Sequence, residues 1–255
     1  MSSQLTPSFN NTVDTAVKIP IPATTRIRLW DLPTRIFHWG LVAAVSTAFV
    51  TAKIGGEWME LHGKAGLAIV GLLVFRVTWG IIGSTHARFL NFAPSPAKLR
   101  AYLKGQWTGS GHNPLGALSV FALLGILLLQ AVSGLFSDDE ISFNGPFSAL
   151  IDSSLSHRLT GLHHQISNFL LSLLVLHIIA IVFYLWFKKN NLVKPMVTGW
   201  KEGRAEESAN KASLSAFIAA ALIAVASVYV ASGAALPKPA EPVVATPVKE
   251  SQTSW

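Results

Sequence analysis

An all-α integral membrane protein is the fold class the sequence predicts, on three observations. Five apolar stretches are each long enough to cross a bilayer, charge is too scarce to cover a water-facing surface, and the basic residues gather in alternate loops. Of 255 residues, 51% are hydrophobic and only 13% charged, where a soluble domain carries roughly 25% charged residues. The apolar stretches run over 36–54, 62–84, 114–136, 163–187 and 213–236. At 1.5 Å per residue each covers a hydrocarbon core of about 30 Å. With no cysteine in the chain, disulfides, thiol catalysis, cysteine-ligated iron–sulfur clusters and thioether-attached haem are excluded. The net charge of +7 sits at the ends of apolar segments, which fits membrane topology and not a nucleic-acid face.

Taken in order, residues 1–25 hold Pro20, Pro22 and many Ser, Thr and Asn, so a disordered arm is expected, and no cleavable signal peptide is visible there. Asp31-Leu32-Pro33 predicts a helix start, with proline in the first turn. The second apolar stretch contains Arg76. Arg26, Arg28 and Arg35 precede the first stretch, Arg88, Lys98, Arg100 and Lys104 follow the second, and Lys188, Lys189, Lys194 and Lys201 follow the fourth. The loop after the third instead carries Asp138, Asp139, Glu140 and Asp152 against Arg158. The positive-inside rule then puts the N-terminus in the cytoplasm and the C-terminal tail on the outside. Trp30, Trp39, Trp58, Trp79, Trp186 and Trp200 fall near the boundaries, as interfacial aromatics do.

The histidines carry the chemistry. His163 and His177 are 14 residues apart, about 3.9 turns, so they share a helix face roughly 21 Å apart. His62 opens the second span at the level of His163, and His38 lies in the first at the level of His177. Pairing by depth gives His62 with His163 and His38 with His177, two sites at which facing imidazoles can fill both axial positions of a haem. Taken singly, such a histidine is as well read as an interhelical hydrogen-bond partner. Four at two matched depths favour ligation, because polar groups inside spans are costly and turn inward. His86 and His157 are read as loop residues and His164 as off the face. His112, before Asn113-Pro114, is read either as a helix-start residue or as part of a quinone site.

Arg76 follows His62 by 14 residues and reaches the inner level. It is read either as neutralising a haem propionate or as snorkelling to headgroups. Gly66, Gly71, Gly116, Gly125 and Gly134 offer close approach to haem planes or to neighbouring helices.

Four blocks carry a family resemblance. These are Trp30-Asp-Leu-Pro-Thr-Arg-Ile-Phe-His38-Trp39, Leu61-His62-Gly-Lys-Ala-Gly66 with Arg76, His112-Asn-Pro-Leu-Gly-Ala117, and Leu162-His163 with Leu176-His177. Over about residues 26–200 they resemble the bacterial cytochrome b561 and hydrogenase-type cytochrome b family. The resemblance implies a four-helix bundle binding two b haems through histidines at the positions of His38, His62, His163 and His177, in exchange with the quinone pool or another protein. The fifth stretch is then an extra C-terminal transmembrane helix. The expected organisation is a disordered arm over 1–25, the dihaem domain over 26–200, a linker with the fifth helix over 201–236, and a flexible tail over 237–255.

The function expected is electron transport in a respiratory chain, between the quinone pool and a partner such as a c-type cytochrome. The acidic loop either attracts such a cationic partner or is merely depleted of Lys and Arg. A superoxide:quinone oxidoreductase ranks second, since an anionic substrate suits a positive outer entrance and this outer face is acidic. Membrane anchor of a hydrogenase or formate dehydrogenase is a third reading, and a haem-free transporter or scaffold a fourth.

Overall fold

A computed structural model of the chain describes residues 25–109 and 111–237. Its helices are α1 (Leu32–Ile54), α2 (Met59–Ile82), α3 (Phe89–Phe92), α4 (Pro96–Leu103), α5 (Pro114–Leu135), α6 (Ser153–Trp186), α7 (Val193–Thr198) and α8 (Leu214–Ala231). The five longest, with a turn before α2 joining it over Gly56–Ile82, are long and apolar enough to cross a membrane. The helices start where the sequence supplies caps. Asp31 accepts from the Thr34 N–H at 2.8 Å and Asn113 from Gly116 N–H at 2.7 Å, each ahead of a first-turn proline.

α1 packs on α2 and α5 on α6, while α2 also meets α5 and α8. One end of the bundle collects the basic loops, the other the acidic loop over 137–152. Halfway between lies a cluster of Val45, Ile69, Leu73, Leu127 and Leu170. In a bilayer such a layer holds by close packing and dispersion, because lipid tails are as apolar as leucine.

Three sequence expectations change. The fourth span was expected to open at 163, but α6 begins at Ser153. Its first turns are polar and invisible to hydropathy, yet the Asp152 carboxylate caps them by accepting from Leu155 N–H at 3.0 Å. His157 is therefore helical, not a loop residue, and it pairs with Glu140 at 2.9 Å. Trp30 and Trp79 lie at a boundary as expected but are buried, with the Trp79 indole donating to Asp31 Oδ2 at 2.9 Å. Finally, the helical chain carries a small antiparallel sheet, β1 (Thr25–Arg28) with β2 (Trp200–Gly203), in register Thr25 to Gly203 and Arg28 to Trp200. Thr25, expected at the end of the arm, opens β1. The remainder of the arm, and the tail beyond Pro237, lie outside the described residues.

The sheet closes the basic end. The Arg26 and Arg28 guanidiniums lie 5.1 and 5.3 Å from the Trp200 ring, a cation–π geometry. Leu29 N–H donates to Gly199 O at 2.8 Å. Gly199 ends α7 at φ 86°, and a Cβ there would lie 2.9 Å from Trp30 O. Gly199→Ala is therefore expected to destabilise by about 1–2 kcal/mol, read as a lower melting temperature in detergent.

The fifth long helix packs on α2, where a Cβ at Gly71 would lie 2.6 Å from Val228 Cγ2. Gly71 thus serves a helix contact.

Candidate functional site

Seven residues make two helical turns, about 10 Å of rise, and this interval recurs through the core. Val45 follows His38 by seven, Ile69 follows His62 by seven, and Leu170 lies seven from both His163 and His177. The aliphatic cluster therefore separates two histidine levels, an outer one towards the acidic end and an inner one towards the basic end.

At the outer level the His62 and His163 rings have centroids 6.2 Å apart and planes 82° apart. Two imidazole nitrogens bound to one metal at about 2 Å each put ring centroids roughly this far apart. His62 Nδ1 donates to Ala48 O at 2.9 Å, a bond that leaves Nε2 as the lone-pair nitrogen. A backbone carbonyl on the distal nitrogen is the usual support for a ligating histidine. His163 Nδ1 lies 3.0 Å from Gln130 O and 3.2 Å from Ser133 Oγ, and Gln130 Nε2 lies 2.9 Å from His163 Nε2. The sequence reading missed Gln130 and Ser133; a lone amide inside the predominantly apolar α5 was the available signal. Gly134 is needed here, since a Cβ would lie 2.9 Å from His163 Cε1. Phe143, also missed, comes from the acidic loop to stand edge-on to His62, with centroids 5.8 Å apart.

At the inner level His38 and His177 stand at matching depth on α1 and α6, each seven residues from the aliphatic layer at Val45 and Leu170. His38 Nδ1 is buried and makes no hydrogen bond. Arg76, only 3% exposed, stands among this level's neighbours. One of its N–H groups donates to Ala87 O at 3.1 Å, and its guanidinium lies 4.5 Å from the Phe89 ring.

His112 does not cap α5; Asn113 does. His112 lies against Trp30 and Phe92, at centroid distances of 4.5 and 4.3 Å. Burial, then the charge of Arg76 and of His86, pushes its pKa down to about 3, so it is a neutral imidazole at neutral pH. It lines a cavity of about 290 Å³ together with His86, Asn91, Lys98 and Trp107. Nearby, Asn113 Nδ2 donates to the Tyr184 hydroxyl at 3.0 Å, and that hydroxyl meets the one of Tyr102, tying α4 to α6. His164 is exposed on another face of α6.

These residues fit a haem. A Cβ at Gly66, one turn from His62, or at Gly125 meets no atom within 4 Å, which leaves bare backbone for a flat group. His38 offers an unpartnered buried nitrogen. Among the described residues no group of three or more His, Cys, Asp or Glu is arranged to hold an ion, whereas a macrocycle that brings its own equatorial nitrogens needs only a pair.

Comparison with known proteins agrees. The family profile described as prokaryotic cytochrome b561 matches residues 29–199. A probable Ni/Fe-hydrogenase 1 B-type cytochrome subunit of Escherichia coli (strain K12) is 23% identical, over 49% of this chain and 66% of that protein. A probable Ni/Fe-hydrogenase B-type cytochrome subunit of Azotobacter vinelandii is 25% identical, over 69% of this chain and 89% of its own length. The Rhizobium leguminosarum bv. viciae protein of that description is 25% identical, over 42% and 58%. The chain thus spans just under two thirds of the E. coli relative. No solved structure matches.

Proposed function

Because this chain belongs to the prokaryotic cytochrome b561 family, matched over more than half its length, we propose that it is a dihaem electron conduit of the bacterial inner membrane. It is a multi-pass membrane b-type cytochrome. The proposal assigns one haem b to His62 and His163 and a second to His38 and His177, with Arg76 neutralising a propionate of the second. The observation that carries it is the placement of the His62 and His163 rings at 6.2 Å, with His177 two further turns beyond Leu170 on α6, at the depth of His38 on α1.

His62 with His163 and His38 with His177 would hold the haems, which would supply one-electron redox chemistry when bound. The chain's own residues do the rest. Ala48 O and Gln130 O orient the outer imidazoles, the Val45–Leu170 layer excludes water between the levels, and burial tunes the potentials. Electrons pass between a quinone at one level and a redox protein at the other. The N-terminus is cytoplasmic and the acidic loop periplasmic, where Asp138, Asp139 and Glu140 suit a cationic partner such as a c-type cytochrome.

The relatives' names favour one further reading, a membrane electron-transfer subunit anchoring a hydrogenase. Copurification of a metal-containing partner distinguishes it from a free-standing carrier. The pyridine haemochrome of the purified protein is expected to give about two haems per chain. A ratio near one means a misread pair, and a reduced-minus-oxidised spectrum without a b-type α-band ends the reading.

A further inference from the structure

Beside the inner histidine level stand two buried donors that nothing satisfies. Thr34 Oγ1 and Arg35 Nε make no hydrogen bond, as His38 Nδ1 does not. Thr34 precedes His38 by four residues and Arg35 by three, so both lie one turn from it towards the basic end, on its side of α1. Helical threonines often quiet their hydroxyls on the preceding turn, as Thr160 does on Ser156 O and Thr198 on Lys194 O. Thr51 donates to Thr47 O at 2.7 Å and Thr78 to Val74 O at 2.9 Å. Thr34 Oγ1 makes no such bond. The residue is nonetheless only 6% exposed. Arg35 spends one guanidinium N–H on Val197 O, which fixes the side chain while its Nε goes unused. Buried donors of this kind are rare without a partner.

The acceptor they fit is a carboxylate, which can take a hydroxyl on one oxygen and a guanidinium N–H on the other. The neighbouring carboxylate of the chain, Asp31, is committed elsewhere. It accepts from Thr34 N–H and from the Trp79 indole. We propose that Thr34 and Arg35 form a carboxylate cradle for the second propionate of the inner haem, complementary to Arg76, which serves the first. The proposal rests on the dihaem reading and divides the two propionates between opposite helices, α1 and α2. Thr34 and Arg35 act as positioning residues: they orient the macrocycle about the His38–His177 axis and withdraw charge from its edge.

The test loads the full-length protein with haem labelled with carbon-13 at the propionate carboxyls. Redox-difference infrared spectra are then recorded at potentials that titrate each haem separately. Thr34→Val, which keeps the shape and removes the hydroxyl, is expected to shift a carboxylate band of the inner haem and to lower that haem's midpoint potential. The outer haem should not move. Thr34→Ser should restore both signals. Arg35→Lys, which keeps the charge but loses Nε, should move the same band. Arg76→Gln should move the other carboxylate band. Two haems per chain with an inner carboxylate band indifferent to Thr34→Val and Arg35→Lys would overturn the cradle and leave the dihaem reading standing. A wild-type protein with fewer than two haems would overturn the dihaem reading and the cradle with it.

Discussion

His177→Ala should lower the haem content from about two per chain to about one, and the haem that stays should be the outer one. The expectation follows from the layering of α6. His177 is the deep member of a pair separated from His163 by two turns to Leu170 and two more beyond it. Truncation at 177 leaves His38 as the sole imidazole of the inner level, and one axial ligand is a far weaker clamp than two. The outer pair keeps its own supports, Ala48 O on His62 and Gln130 O on His163. A potentiometric titration should then show one component in place of two. Loss of both haems, or of neither, would break the pairing by depth.

Asp31→Ala should cost about 2–4 kcal/mol, from a buried indole donor left without its acceptor at about 1–3 and a lost helix cap at about 1. Asp31 is 8% exposed and Arg76 3% exposed, so solvent relieves little of the damage. One carboxylate caps α1 through Thr34 N–H, accepts the Trp79 indole and faces the Arg76 charge. Removing it uncaps α1 and orphans the indole. Asp31→Asn keeps an acceptor for the cap and should cost less. Thermal denaturation of the purified protein in detergent gives the comparison, and equal stability for Asp31→Ala and the wild type would refute the network.

The long helices were legible because crossing a bilayer demands an uninterrupted apolar run, and such a run is a one-dimensional signal. The start of α1 was legible for a local reason, the Asp31 cap followed by Pro33. The start of α6 was not, because Ser153 to Leu162 fold as helix beyond the apolar run and hydropathy registers only the part meant for lipid. β1 and β2 were hidden by brevity, since four residues each cannot establish an alternation. Trp79 shows another limit. Position along the chain places it near a boundary, but only the packing around it decides whether it faces lipid or Asp31. The meeting of His62 with His163 was legible through helical spacing, which converts directly into face and depth. Gln130, Phe143, Thr34 and Arg35 were not, because their importance lies in what they touch or fail to touch across helices.

The pairing of Thr25–Arg28 with Trp200–Gly203 also constrains how the molecule is made. A ribosome delivers the first partner early and the second only after four of the long hydrophobic helices have entered the bilayer. Until then the leading strand has no mate, and the indole of Trp200 cannot stack beneath Arg26 and Arg28. The seam on that side is consequently among the last to be sewn, and nascent chains arrested before residue 200 should remain open to protease there while their early helices are already protected.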